Sequence, residues 1–275
     1  MLDSNRAKII VATTKKYEMP HDPVYLPLHV GAALRHHKRS LGYQTDDTGD
    51  NISDHNASYC ELTGLYWAWK NLDADVIGLV HYRRYLGSPS CARRHASAPL
   101  DRILTGPELV SLFERADLIV PKKRHYYIET LASHYAHTHY QEQLDSTRSV
   151  IEHRCPEYLD TYDRVMNRTW GYMFNMMILR RELLEDYCSW LFGILAELEN
   201  YMSEEELSSY QGRYIGRIAE LIFNVWLEKR LADGRIDRSR MVELPLIYIE
   251  QVHWFRKVQA FLMAKFFHKK YEKSF

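Results

Sequence analysis

The chain contains no GxGxxG, no Walker loop, no GxSxG and no HExxH. This lowers the expectation of a dinucleotide dehydrogenase, a P-loop enzyme, a serine hydrolase or a zincin. Its four cysteines, Cys60, Cys91, Cys155 and Cys188, stand far apart with no CxxC pair, so neither a zinc cluster nor a disulfide framework is suggested. An excess of charge of one sign is missing too: 36 Lys and Arg balance 36 Asp and Glu. A general nucleic-acid binder carries a strongly basic footprint, and this chain does not. The start, MLDSNRAK, lacks the apolar stretch of a signal peptide. No apolar run approaches the roughly 20 residues that span a bilayer. The expectation is a cytoplasmic protein, soluble or peripheral.

What is present describes a folded globular protein. At 275 residues, with 46% hydrophobic and 13% aromatic content, the chain can bury one substantial core. Twenty tyrosines exceed what a core needs, because each buried hydroxyl must find a partner. Surplus Tyr, Trp and His suits a hydroxyl-rich ligand such as a sugar, and equally a protein interface.

The most informative stretch is Asp75–Leu86, DVIGLVHYRRYL. The apolar run Val76–Val80 has the length of a buried strand and ends abruptly in His81, Tyr82, Arg83, Arg84 and Tyr85. Ligands of open α/β sheets bind beyond the carboxyl ends of strands, and Arg is suited to bidentate phosphate contacts. Two readings follow: a pocket for a phosphate-bearing ligand, or an Arg pair matched to acidic neighbours on the sheet rim.

Along the chain, strands are expected at Lys8–Thr14, Val76–Val80, Asp117–Pro121, Tyr172–Leu179 and Leu244–Ile249. Helices are expected at His29–His37, Tyr59–Leu72, from Thr105 to about Arg115, within Ile128–Val165, at Arg181–Tyr201 and at Arg213–Arg230, with a last one from about Val252. Thr105-Gly-Pro-Glu108 has the form of a capping box with Pro in the first turn. Ser40–Asn56 and Ser88–Pro99 read as loops. Strands alternating with helices in the first half, and helices dominating the middle, predict an α/β fold with a mostly parallel central sheet and a helical elaboration. Residues 1–250 form the expected domain, and 251–275 an appended helix.

The order of these elements resembles the GT-A fold of nucleotide-sugar transferases. In that fold the strand matching Val76–Val80 usually ends in an Asp-x-Asp motif that holds a divalent metal on the donor diphosphate. The matching positions here are His81 and Arg83, so the resemblance implies fixed cations in place of the metal, with no cofactor. Three longer segments, DNISDHNASYCELTGLYWAWKN (Asp50–Asn71), MFNMMILRRELLEDYCSWLFGIL (Met173–Leu195) and RYIGRIAELIFNVWL (Arg213–Leu227), together with HYRRYL, are similar to a bacterial family first catalogued as a domain of unknown function. Its members are usually labelled capsular polysaccharide or exopolysaccharide biosynthesis glycosyltransferases. The resemblance runs from Ile9 to about Ile249. It implies transfer of a hexose, galactose-type first, from a nucleoside diphosphate, UDP foremost, to a polysaccharide or lipid-linked glycan acceptor. The reading from another class is a non-catalytic glycan- or partner-binding module of a polysaccharide-assembly complex.

On this reading the donor site draws on Lys15, Asp50, Asn51, His81, Arg83, Arg84 and Asn175. Lys15 also reads as a solvated turn lysine, and Asp50 and Asn51 as plain turn formers. Asn175, an amide inside an apolar run, must either bond a ligand or tie down a neighbouring loop. Glu61, if it points into the cleft, is expected to pair with the arginines, with contact to a donor hydroxyl as its other role. His134 and His137, at i and i+3, are candidate acceptor contacts, with no carboxylate foreseen to complete a metal site. Glu220, among apolar helix neighbours, is the candidate general base, since desolvation raises a carboxylate toward working pH. Its competing role is a helical ion pair with Arg213 or Arg217. Finally, 253–275 carries six Lys or Arg against one acidic residue. Trp254, Phe255, Val258, Phe261, Leu262 and Phe266 gather on one side of a helical wheel, as suits an anionic membrane surface. A helix docked on the protein's own core is the other reading.

Overall fold

The computed structural model describes residues 4–35, 40–201, 208 and 211–250; the expected C-terminal amphipathic helix lies outside them. The strands are β1 (Ala7–Thr13), β2 (Tyr25–His29), β3 (Gln44–Thr45), β4 (Val76–His81), β5 (Arg84–Leu86), β6 (Leu118–Pro121), β7 (Arg124–His125), β8 (Trp170–Gly171), β9 (Met177–Arg180), β10 (Met241–Leu244) and β11 (Leu246–Tyr248). The helices are α1 (Asn56–Tyr59), α2 (Leu62–Asn71), α3 (Cys91–Arg94), α4 (Gly106–Phe113), α5 (Leu131–Thr138), α6 (Gln141–Arg154), α7 (Leu159–Met166), α8 (Arg181–Tyr201) and α9 (Tyr214–Ala232).

The main sheet runs β10-β6-β9-β4-β1-β2-β3. Every neighbouring pair is parallel except the two made by β9, which lies antiparallel between β6 and β4. Both faces are covered, so β1 and β4 read as unbroken apolar runs rather than alternating ones. Ile10, Ala12, Ile77 and Leu79 face the larger core with α2, α8 and α9. Ile9, Val11, Val76 and Val80 face a second core with Leu109, Leu112 and Phe113 of α4. Gly78 is required by the close approach of β9: a Cβ there would stand 2.7 Å from Ile178 Cγ1. This is a mixed, mostly parallel α/β sheet with a helical elaboration, as the order of elements predicted.

Several elements depart from expectation. The helix proposed for His29–His37 is replaced by β2 and a short 3-10 turn, Ala32–Arg35. Pro27 argues against a central strand, yet it is tolerated here because β3 reaches only Leu28 and His29. The single helix Tyr59–Leu72 is broken at Cys60, whose φ is +55°. The long helical stretch Ile128–Val165 resolves into α5, α6 and α7. The strand foreseen at Tyr172–Leu179 begins only at Met177, because Phe174 and Asn175 adopt φ of +76° and +51°. Pro245 divides Leu244–Ile249 between two strands, β10 and β11. The capping box is present in full, Thr105 Oγ1 accepting from Glu108 N–H while the Glu108 carboxylate accepts from Thr105 N–H. Among the described residues no helix is long and apolar enough to cross a membrane.

Candidate functional site

A cavity of about 790 Å³ opens at the carboxyl ends of β1 and β4. Its other walls come from the segment after β6, the turn before β9, α5 and α9. Six cations line it, Lys15, Arg83, Arg84, Arg124, Arg213 and Arg217, against two carboxylates, Glu61 and Glu220. On a chain with formal net charge zero this is a strong local concentration of one sign. Low-dielectric walls focus such a field on anions.

The two arginines of HYRRY diverge. Arg83 Nη1 stands 3.5 Å from Glu250 Oε2 at a half-exposed position, and Tyr17 also bonds Glu250. Arg84 turns inward, its guanidinium 4.6 Å from the centroid of the Phe174 ring and 5.9 Å from that of Tyr248. Its Nε is buried with no hydrogen-bond partner. A buried donor left unpaired is costly, so Arg84 is the side chain best prepared to receive an anion.

Beside it, three elements are joined through one residue, Phe174. His81, at the end of β4, donates from Nε2 to Phe174 O at 2.7 Å. Phe174 N–H in turn donates to Glu220 Oε2 at 3.0 Å. Burial holds the His81 imidazole below its ordinary range against the opposing pull of Glu61, so its neutral form serves as the donor. Next along the turn, Asn175 Nδ2 donates to Glu61 Oε1 at 2.8 Å and to Gly216 O at 2.9 Å. These bonds hold two successive left-handed residues in place, a conformation that persists only where the surroundings impose it.

Glu220 lines the cavity from α9. Burial pushes its carboxyl up to about 7, aided by Glu61, while the Phe174 N–H, Arg84 and Arg124 pull the other way. Among the described residues it forms no ion pair with Arg213 or Arg217; the Phe174 amide is its hydrogen-bond partner. A carboxylate titrating near neutrality in a cationic cleft has the properties of a general base.

The remaining candidates divide. Lys15 is exposed and lines the cleft. Asp50 and Asn51 do not reach it. Asp50 accepts from Tyr66 OH and its backbone is clasped by Asn71, while Asn51 caps its own loop through Gly49 O and Ser53 N–H. Asn175 is absent from the cavity wall and acts on the turn instead. His134 lines the cleft, whereas His137 does not. The carboxylate not foreseen beside them is Glu129, which is 4% exposed. It bonds His134 Nδ1 at 2.8 Å and His137 Nδ1 at 2.7 Å. Burial raises the Glu129 carboxyl, but the two imidazole bonds and their charges outweigh it and leave it below its usual range. Among the described residues no group of three or more His, Cys, Asp or Glu is arranged to hold a metal ion.

Sequence reasoning also missed Arg124 and Tyr127, and gave Asp46 no role beyond its place in the polar loop. Asp46 is fully buried and accepts from Gly31 N–H, Ala32 N–H, Ser53 Oγ and Thr63 Oγ1. It anchors the 46–53 loop to the ends of β2 and α2. The only local signal for it was an acidic residue within a polar loop.

A parallel sheet interrupted by one antiparallel strand, with the cleft at the carboxyl ends of its first and fourth strands, is a GT-A-like arrangement. The profile of a domain of unknown function, DUF4422, matches residues 8–231, and the chain belongs to that family. Among solved structures, the apo form of the bifunctional glycosyltransferase WbbM is similar, with a TM-score of 0.81 and 30% identity over 90% of this chain. The match covers 46% of that protein, so the present chain corresponds to about half of its length. Curated protein sequences show no match.

Proposed function

We propose that this protein is a glycosyltransferase that moves a hexosyl unit, galactose-type first, from a nucleoside-diphosphate sugar to a polysaccharide or lipid-linked glycan. UDP is the proposed nucleotide. The observation that carries the proposal is the cationic cleft at the strand ends of an otherwise neutral chain. Likeness to a glycosyltransferase supports it. In this reading Arg84 contacts the donor diphosphate, with Lys15 and Arg83 nearer the rim. Glu220 takes the proton of the attacking acceptor hydroxyl. The hydroxyl oxygen forms the new bond to the anomeric carbon as the bond from that carbon to the phosphate oxygen breaks. The diphosphate departs with the electron pair, its charge met by the guanidinium groups.

The Asp-x-Asp position carries His81 and Arg83. His81 is committed to Phe174 O and Arg83 is a cation, so neither suits a divalent ion, and the reading is metal-independent transfer. Residues 1–250 act as one domain, with 251–275 as a contact to the inner face of the cytoplasmic membrane. Calorimetry and donor hydrolysis across a panel of nucleoside-diphosphate sugars test the proposal. Binding with slow hydrolysis of one donor is expected. Binding of none would favour a non-catalytic module of a polysaccharide-assembly complex.

A further inference from the structure

The wall of the cleft formed by the segment after β6 presents a feature that phosphate recognition does not require. Tyr127 lines the cavity yet is 83% exposed, and its neighbour Ile128 is 71% exposed. Tyr127 has φ of +58°, and Ile128 N–H closes on Tyr126 O at 2.7 Å. A three-residue turn of positive φ is rare and strained, more so on a bulky side chain. Its flanks hold it. Tyr126 N–H donates to Thr169 O at 2.7 Å, and Leu131 N–H to Arg168 O at 2.8 Å. His125 pairs with Trp170 across β7 and β8, and the Tyr126 ring packs 4.4 Å from that of His134. Tyr127 is therefore fixed in an unfavourable backbone conformation whose result is an aromatic ring standing at the cleft mouth.

Strain of this kind, maintained by its surroundings at a cleft, points to a binding role. The ring face carries no charge and offers a phosphate nothing, although the hydroxyl at its end can donate a hydrogen bond. Its chemistry, a flat apolar face with a hydroxyl at one end, matches a pyranose, which has an apolar C–H face and a hydroxyl rim. The ring of His125, 6.0 Å away, adds hydrogen-bonding capacity at its edge. We propose that Tyr127 is the stacking platform for a pyranose ring of the acceptor, at the mouth of the cleft that takes the donor diphosphate. This rests on the glycosyltransferase reading and adds to it the acceptor's binding site.

The test uses the full chain saturated with UDP and probed by saturation-transfer NMR. The probes are methyl gluco-, galacto- and mannopyranosides together with lactose and maltose. At least one should receive saturation concentrated on the C–H protons of one ring face. Tyr127→Ala should reduce that signal at least fivefold, Tyr127→Phe and Tyr127→Trp should retain it, and UDP affinity should stay the same in all three. Tyr127→Gly, which relieves the positive φ, should raise the thermal midpoint while losing the signal. Equal saturation in the wild type and Tyr127→Ala would overturn the assignment, as would UDP binding without saturation of any glycoside. Failure of the donor reading is distinguishable, because it appears as absence of UDP binding in calorimetry.

Discussion

Replacing Glu220 by Gln tests both the electrostatics of the cleft and the chemistry assigned to it. The amide keeps an oxygen to accept the Phe174 N–H now bonded at 3.0 Å, so the turn before β9 should stay in place. What changes is charge. The carboxyl titrates at about 7 in the folded protein against an ordinary 4.5. Folding therefore favours its protonated form. The associated stabilisation is complete below pH 4.5 and is lost as pH rises through 7. At about 1.4 kcal/mol per pH unit the difference is at most about 3 kcal/mol. That figure is a net one, since the opposing pull of Arg84 and Arg124 is already contained in it. Glu220→Gln should thus match the wild type in urea unfolding at pH 4.5 and exceed it by about 1–3 kcal/mol at pH 8.5. Turnover should fall by about 10²–10⁴, the usual contribution of a general base, with UDP affinity nearly unchanged. The acid limb of the wild-type kcat profile near pH 7 should vanish. A variant whose stability parallels the wild type at every pH would refute the buried-carboxylate argument. An acid limb that persists in the variant would remove Glu220 from proton transfer.

Arg84→Ala should weaken UDP binding by about 1.5–3 kcal/mol, the range for hydrogen bonds to charged groups. Arg83→Ala should have a smaller effect because that guanidinium already faces Glu250; calorimetry giving the reverse order would exchange their roles. Turnover should survive EDTA, and loss of activity restored by Mn²⁺ would contradict the metal-independent reading. His81→Phe leaves Phe174 O without its donor and should cost about 1–3 kcal/mol in thermal or urea unfolding. An unchanged midpoint would mean that Glu220 and Asn175 suffice to hold the turn.

The parts of the fold legible in the sequence are those whose signals are local. The β4 run with its charged end, the Thr105 capping box and the apolar periodicity of α8 each need only a dozen neighbouring residues to be recognised. The cleft's cations at the end of β4 were legible for the same reason, and so was Glu220 among its apolar helix neighbours. What escaped depends on partners distant in sequence. Pro27 is acceptable in β2 only because β3 is two residues long. Asn175 looked like a polar interruption of a strand, whereas Glu61 and Gly216 hold it in a left-handed turn. Asp50 and Asn51 looked like ligand contacts because they cluster in a polar loop, but Tyr66 and Asn71 take up Asp50, and Asn51 is spent within its own turn. Arg124 and Tyr127 fall in a stretch without periodicity, and only the β7–β8 pairing brings them to the cleft.

The antiparallel placement of β9 has a consequence for how one wall of the cleft is built. Because β6 and β9 are hydrogen-bonded neighbours of opposite direction, residues 122–176 leave and re-enter the sheet at adjacent points, as the loop of a very long hairpin does. The wall residues Arg124, His134, Tyr135 and Phe174 belong to that excursion, while Thr13, Lys15, His81 and Arg84 do not. The excursion is no free loop: α5, α6 and α7 pack into one core with α8 and α9, and Phe174 and Asn175 bond His81, Glu220 and Glu61, so it can change only together with those partners. On the glycosyltransferase reading, one contiguous segment therefore carries a whole wall of the cleft, and a chimaera exchanging 122–176 together with the facing residues of α8 and α9 is the unit with which to move it.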